Sequence, residues 1–302
     1  MALQLHVPGG PAERPRPTIP SREERPGRAR HRLPLVGRFL AAREEVRSRL
    51  SAACALEHRP PERFGFSFET ATRLLMVTRF FYRSYFRVAC HGIQALPAGP
   101  VLLVANHGSH ALSWDGAMIV TACLLEADPP RLVHGMANHR LMQLPVLGAA
   151  ARRIGAVDGT RPACANLLRA GAAVLTFPEG VRALEKPFGE RYRLRPFGHG
   201  FVHVALATRA PIVPVAVLGA EEEAPLLANP SWLARLLRTP TAPLTPTLVV
   251  PLPVKYHIHF GAPLRLTGPA QPHVVARHVE KVRAALQELI HRGLAARRHV
   301  FF

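Results

Sequence analysis

The side chains best suited to chemistry lie in Asn106-His107-Gly108-Ser109-His110-Ala111-Leu112-Ser113-Trp114-Asp115 and in Phe177-Pro178-Glu179-Gly180. The first stretch follows the apolar run Val101-Leu102-Leu103-Val104-Ala105 and offers two histidines and one carboxylate. The second follows Ala172-Ala173-Val174-Leu175-Thr176 and sets a carboxylate on a Pro-Gly turn. Neutral imidazole is suited to taking a hydroxyl proton near pH 7. A carboxylate bonded to the other ring nitrogen would fix the tautomer and stabilise the imidazolium. Together these parts could activate an alcohol for attack on an acyl thioester. His110 precedes Asp115 by four intervening residues, whereas His107 directly follows Asn106. Spacing favours His110 as the base, with His107 as the alternative and Asp115 as the partner of either.

Arg182 follows the Glu179-Gly180 turn, and a backbone turn beside an Arg can hold an anion. The chain has sixteen histidines, so one His near one Asp carries little weight by itself. Two such elements, each after an expected strand end, carry more, because open α/β sheets place ligands beyond the carboxyl ends of their strands. Ser109 lacks the Gly-x-Ser-x-Gly setting of a nucleophile elbow, which disfavours an acyl-enzyme lipase. His134, His139, His199 and His203 come without an HExxH motif or a Cys pair, so no metal site is expected.

Apolar runs at 101–105, 132–136, 172–177, 212–218 and 254–260 predict buried strands. Helical patterns occupy 114–126, 140–151, 161–170, 198–208 and 271–297. The alternation predicts an α/β fold with a mixed, largely parallel sheet flanked by helices. Before it, 35–57 and 67–89 predict two N-terminal helices. In the second, Arg79, Arg83 and Arg87 recur every four residues beside Phe80, Phe81, Tyr82, Tyr85 and Phe86. This pattern reads either as a membrane-interfacial helix with its basic side toward lipid phosphates, or as a packed helix with a solvated Arg edge. Residues 1–33 interleave Pro and Arg and predict a disordered basic tail. The expected organisation is this tail, a helical membrane-docking region over 34–90, and an α/β domain over 91–302.

The net charge is +19, from 39 Lys and Arg (only Lys186, Lys255 and Lys281 are Lys) against 20 Asp and Glu. Such charge attracts nucleic acid, anionic membrane or acidic metabolites without choosing among them. No nucleic-acid motif accompanies it, so a basic nucleic-acid-binding protein is the weaker alternative. Four scattered cysteines fit buried positions in a reducing compartment. The N-terminus lacks a sustained apolar stretch, and Gly92, Pro97, Gly99 and Pro100 interrupt the uncharged stretch from Val88 to Trp114. Neither a secretory signal nor a membrane-spanning helix is therefore expected.

These blocks resemble the glycerolipid (lysophospholipid) acyltransferases related to 1-acylglycerol-3-phosphate acyltransferase. The first block of that family is Asn-His-x-Ser-x-x-Asp, an HX4D motif, and the second resembles Phe177-Pro178-Glu179-Gly180-Val181-Arg182. Gly155-Ala156-Val157-Asp158-Gly159-Thr160-Arg161 loosely matches a Gly-to-Arg block lying between them. Ala210-Pro211-Ile212-Val213-Pro214-Val215 matches a later one. Leu112 stands where the aspartate of the first block belongs, and Val181 and Ala183 replace the usual Thr and Ser of the second.

The resemblance implies transfer of a fatty acyl group from acyl-CoA or acyl carrier protein to a lysophospholipid or related glycerolipid, with no bound cofactor. It implies that Glu179 and Gly180 bind the acceptor headgroup, that Arg161 and Arg182 meet its phosphate, and that Pro214 shapes the site wall. Val181 leans toward the branch that acylates more neutral glycerides. Membrane lipid, an anionic membrane surface and acyl carrier protein are the implied partners, at the cytoplasmic face of the inner membrane. The irregular first block also admits a lipid-binding homologue without catalysis.

Overall fold

Val101, Leu102, Leu103, Val104 and Ala105 are all fully buried, as befits a strand covered on both faces at the centre of a parallel sheet. The computed structural model describes residues 35–57, 65–109, 113–228, 230, 232–233, 235, 244–245 and 250–301. The expected basic tail over 1–33 lies outside those residues.

Seven strands form one sheet: β1 (Ala89–His91), β2 (Val101–Ala105), β3 (Val133–Ala137), β4 (Val157–Asp158), β5 (Ala173–Thr176), β6 (Ile212–Leu218) and β7 (His257–Phe260). Their order is β1-β7-β6-β2-β5-β3-β4. Every pairing is parallel except β6 with β7. The expected mixed, largely parallel sheet is present.

Helices cover both faces. α1 (Leu35–Ala55) and α2 (Phe68–Phe80) precede the sheet, and α3 (Trp114–Leu125) follows β2. α4 (His139–Gln143) and α5 (Pro145–Arg153) occupy the stretch expected as one helix; they divide at Leu144, whose extended backbone precedes Pro145. α6 (Arg161–Arg169), α7 (Gly200–Thr208), the short α8 (Ala220–Glu223) and α9 (Pro272–Ala296) complete the set.

One core packs Leu102, Val104, Val174, Ala216 and Leu218 against Leu167, Val202, Val279, Val282 and Leu286 of α6, α7 and α9. The opposite face packs Leu103, Val215, Val217 and Ile258 against Met118, Ile119 and Ala122 of α3. A third cluster joins Val46 and Leu50 of α1 to Ala71 and Leu75 of α2 and to Leu124.

The helix expected over 67–89 is shorter. It ends at Phe80, continues as a π turn over Phe81–Tyr85, and gives way to β1. The basic stripe is correspondingly lost. Arg79 pairs with Glu45 at 2.7 Å and Arg83 lies 3.6 Å from Glu126. Arg87, with φ 47°, donates to the carbonyls of Tyr85, Pro253 and Phe301. These guanidiniums satisfy groups within the protein. What faces outward instead is apolar: Val36, Phe39 and Leu40 on α1 and Leu74, Val77 and Phe80 on α2 are exposed. No described helix is long and apolar enough to cross a membrane.

Strand β1 enters the sheet through a close approach at Gly92, where φ is +76° and an added Cβ would come 2.4 Å from the Phe260 carbonyl oxygen. Because that atom is backbone, it cannot swing aside. Gly92→Ala is expected to destabilise the protein by about 1–3 kcal/mol, as a strained non-glycine backbone does. The measurement is a lowered urea midpoint with an unchanged slope.

Candidate active site

At the carboxyl end of β2 the chain leaves the sheet, but Asn106 keeps its place on the sheet edge. Its side-chain amide donates to the Val217 carbonyl at 2.9 Å and accepts from the Val217 N–H at 2.8 Å. The side chain thus imitates a peptide unit and fixes where the next residues go.

The next residue is His107. Its Nδ1 lies 2.7 Å from Oδ2 of Asp115. The same carboxylate oxygen accepts the backbone N–H groups of Gly108 (2.8 Å) and Ser109 (3.2 Å). Oδ1 takes the Ser113 hydroxyl at 3.1 Å and the Gly116 N–H at 2.7 Å. Asp115 sits in the first turn of α3, where the helix dipole also favours negative charge.

Among the described residues the carboxylate's imidazole partner is His107, eight residues away. Ser113 lies in the left-handed region at φ 45° just before α3. His110 lies outside the described residues.

Electrostatics reinforce the dyad. Burial opposes ionisation of Asp115, but His107 and the donated N–H groups outweigh it and hold the carboxyl below its usual range. Burial likewise opposes protonation of His107, yet the Asp115 charge wins and moves the imidazole upward. The His107 ring keeps 13% exposure, so substrate can reach it. It stacks on Phe177 at 4.3 Å between centroids and 23° between planes.

Glu179 arrives from the end of β5 and is almost wholly buried. One of its oxygens accepts the His107 backbone N–H at 3.3 Å, and the other accepts the Arg195 N–H at 2.7 Å. Lys186, itself buried, lies 3.8 Å from Glu179 and 2.9 Å from Glu221. The other three residues expected to bind the acceptor are exposed. Gly180, at φ +62°, opens onto empty space, and Arg182 is exposed while donating to the Pro196 carbonyl at 3.0 Å. Arg161 is exposed at the start of α6, with its guanidinium stem beside Gly200 of α7. Both arginines thus border the segment from Pro196 to Gly200. Pro214 lies within β6, where its carbonyl accepts the Gly261 N–H.

Several functional neighbours escaped the reading of the sequence. Glu221, Glu222 and Glu223 form a buried acidic run at the end of β6. Gly108 has no Cβ because one would lie 2.4 Å from the Glu221 side chain. Glu222 pairs with Arg297. Glu223 accepts a short hydrogen bond from the Tyr256 hydroxyl, which lies 3.4 Å from the Ser109 hydroxyl. Ser109 in turn accepts the Asp115 N–H at 3.0 Å. The available signal was three consecutive acids directly after an apolar strand, in a chain with 20 acids in all.

Residues 87–218 match the family model described as Acyltransferase. An uncharacterized protein of Mycobacterium tuberculosis is 39% identical over 238 residues, covering 74% of this chain and 66% of that protein. A Mycobacterium leprae protein is 40% identical, with 74% and 65% covered. A human protein described as a DGAT1/2-independent enzyme synthesizing storage lipids is 29% identical over 208 residues, with 66% and 60% covered. The chain therefore spans just under two thirds of the length of these relatives. In fold it is similar to the 1-acyl-sn-glycerophosphate (LPA) acyltransferase PlsC of Thermotoga maritima. The TM-score is 0.50 at 18% identity, covering 76% of this chain and 83% of that one.

The acidic run makes a pH prediction. Burial, opposed by hydrogen bonds from Tyr256 and Ser109, raises the Glu223 pKa from 4.5 to about 8. The unfolded chain releases this proton near pH 4.5 and the folded chain keeps it to about pH 8. Stability tied to Glu223 is thus lost as pH rises between those values and is level outside them. Glu223→Gln, which copies the protonated form, should lose less stability across pH 4.5–8 than the unaltered protein. Urea midpoints at several pH values measure the difference.

Proposed function

We propose that the chain, which matches the Acyltransferase model over residues 87–218, is a glycerolipid acyltransferase that transfers a fatty acyl group from a thioester to a glycerolipid hydroxyl, with His107 as the general base. The observation that carries this reading is the 2.7 Å contact between His107 and Asp115 at the carboxyl end of β2, with Glu179 holding the base's own N–H.

In the proposed step, Nε2 of His107 takes the hydroxyl proton as the oxygen attacks the thioester carbonyl. The C–S bond then breaks, and the imidazolium gives the proton to the departing thiolate, releasing the thiol of coenzyme A or acyl carrier protein. Asp115 holds the tautomer and stabilises the imidazolium through Nδ1. Glu179, tied to both the His107 and Arg195 N–H groups, fixes the floor of the site, and Arg182 and Arg161 meet an acceptor phosphate where there is one. Exposed Phe39, Leu40, Leu74, Val77 and Phe80 would seat the enzyme on the lipid surface that holds its acceptor, with the net positive charge favouring an anionic leaflet.

Thiol release from an acyl thioester, with lysophosphatidate, other lysolipids and diglycerides offered in turn, tests the reaction. His107→Ala and Asp115→Asn should each lower acceptor-dependent release by about 10²–10⁴-fold, the range for a positioned base. His110→Ala should retain most of it. The opposite ranking of the two histidines would move the base to His110, and no release with any acceptor from folded protein would favour a lipid-binding homologue.

Raising the pKa of His107 keeps more of it protonated, so activity should fall on the acid side at a higher pH than a free imidazole would give. Phe39→Ser with Phe80→Ser should weaken sedimentation with anionic vesicles while leaving turnover of detergent-dispersed substrate intact.

A further inference from the structure

β1 and β7 carry a group of side chains that the acyl-transfer step does not use. His257 and His259 alternate along β7 and so share one face, and His91 stands opposite His259 in the parallel register. One ring nitrogen from each lies within 4.8 Å of the others. The His91 and His259 rings stack at 4.6 Å and 18°. A His-x-His pair on one strand with a third His in register on its neighbour aims three nitrogens at one point. Three histidines with an open fourth position are an established zinc donor set.

A second observation points the same way. Nε2 of His259 is buried and has no hydrogen-bond partner among the described residues. It faces Gly293 of α9, where a Cβ would come 2.9 Å from that nitrogen. Leaving a buried polar atom unpaired is costly, and a ligand at this cluster removes that cost.

We propose that His91, His257 and His259 bind a divalent transition-metal ion of the zinc type, clipping the edge strand β1 to β7. The exposed side of the site, at His91, leaves a fourth position to solvent. Three neutral imidazoles leave both charges of the cation uncompensated, and Arg292, Arg297 and Lys255 stand nearby. Glu288 and Glu222 pair with Arg292 and Arg297. That balance favours an exchangeable anion, chloride or hydroxide, as the fourth ligand. The histidines singled out from the sequence are used otherwise: His134 contacts the Gly155 carbonyl and Glu57, and His139 contacts Asp158.

The test uses tag-free, chelator-treated full-length protein, titrated with Zn²⁺ by calorimetry and with Co²⁺ by visible absorption. The expected result is one equivalent of Zn²⁺ per chain and the intense d–d bands of four-coordinate Co²⁺. His91→Gln, at an exposed position that folding should tolerate, and His257→Gln should each lose the equivalent and the bands, while His107→Ala keeps both. Zinc uptake unchanged in His91→Gln and His257→Gln, or no uptake by the unaltered protein, would overturn the proposal.

Discussion

The Asp115 carboxylate is wholly buried, and the surrounding architecture exists in large part to satisfy it. A charge without solvent must be met by donors, and Asp115 collects them from the backbone after β2, from its own helix start and from His107. Those donors can converge only if Gly108 and Ser109 lie against the start of α3. The requirement spreads outward. The Ser109 hydroxyl that receives the Asp115 N–H also reaches Tyr256, and Tyr256 bonds Glu223. A parallel chain runs from the His107 N–H through Glu179 to Lys186 and Glu221. Two buried polar networks thus tie the ends of β2, β5 and β6 into one rigid edge. Rigidity of this kind keeps an imidazole in a fixed orientation.

The apolar runs made the central strands and long helices legible. β2 and β6 are uninterrupted and fully buried, and α9 alternates buried Val275, Val279, Val282 and Leu286 with polar residues. β1 was not legible, because Ala89-Cys90-His91 is a three-residue edge strand whose partner lies far along the chain. The helix expected over 67–89 had aromatic bulk enough to continue, yet the π turn after Phe80 rotates Phe81 and Phe86 onto Trp114 and Tyr256. Tertiary packing overrode the local pattern.

At the site, residue types were readable and pairings were not. Asp115, Glu179 and the two histidines were evident from their placement after apolar runs. That His107 meets Asp115 across eight positions is set by the fold, which linear spacing does not encode. The pairings of the arginines were unreadable for a related reason: Glu45 and Glu126 sit on other elements and reach Arg79 and Arg83 only after folding. A charge count describes the unfolded chain as well as the folded one, whereas ion pairs belong to the fold alone.

Asn106 gives the site a demand that neither size nor polarity expresses. Its amide must offer a hydrogen to one strand group and a lone pair to another, both belonging to Val217. A carboxylate of the same outline has only lone pairs, and an aliphatic side chain has neither. The residue beside the base is therefore constrained by hydrogen-bond parity. Loss of a single ammonia from that side chain would place two acceptors face to face in a dry interior, so the chemical lifetime of one amide bounds the working lifetime of the site.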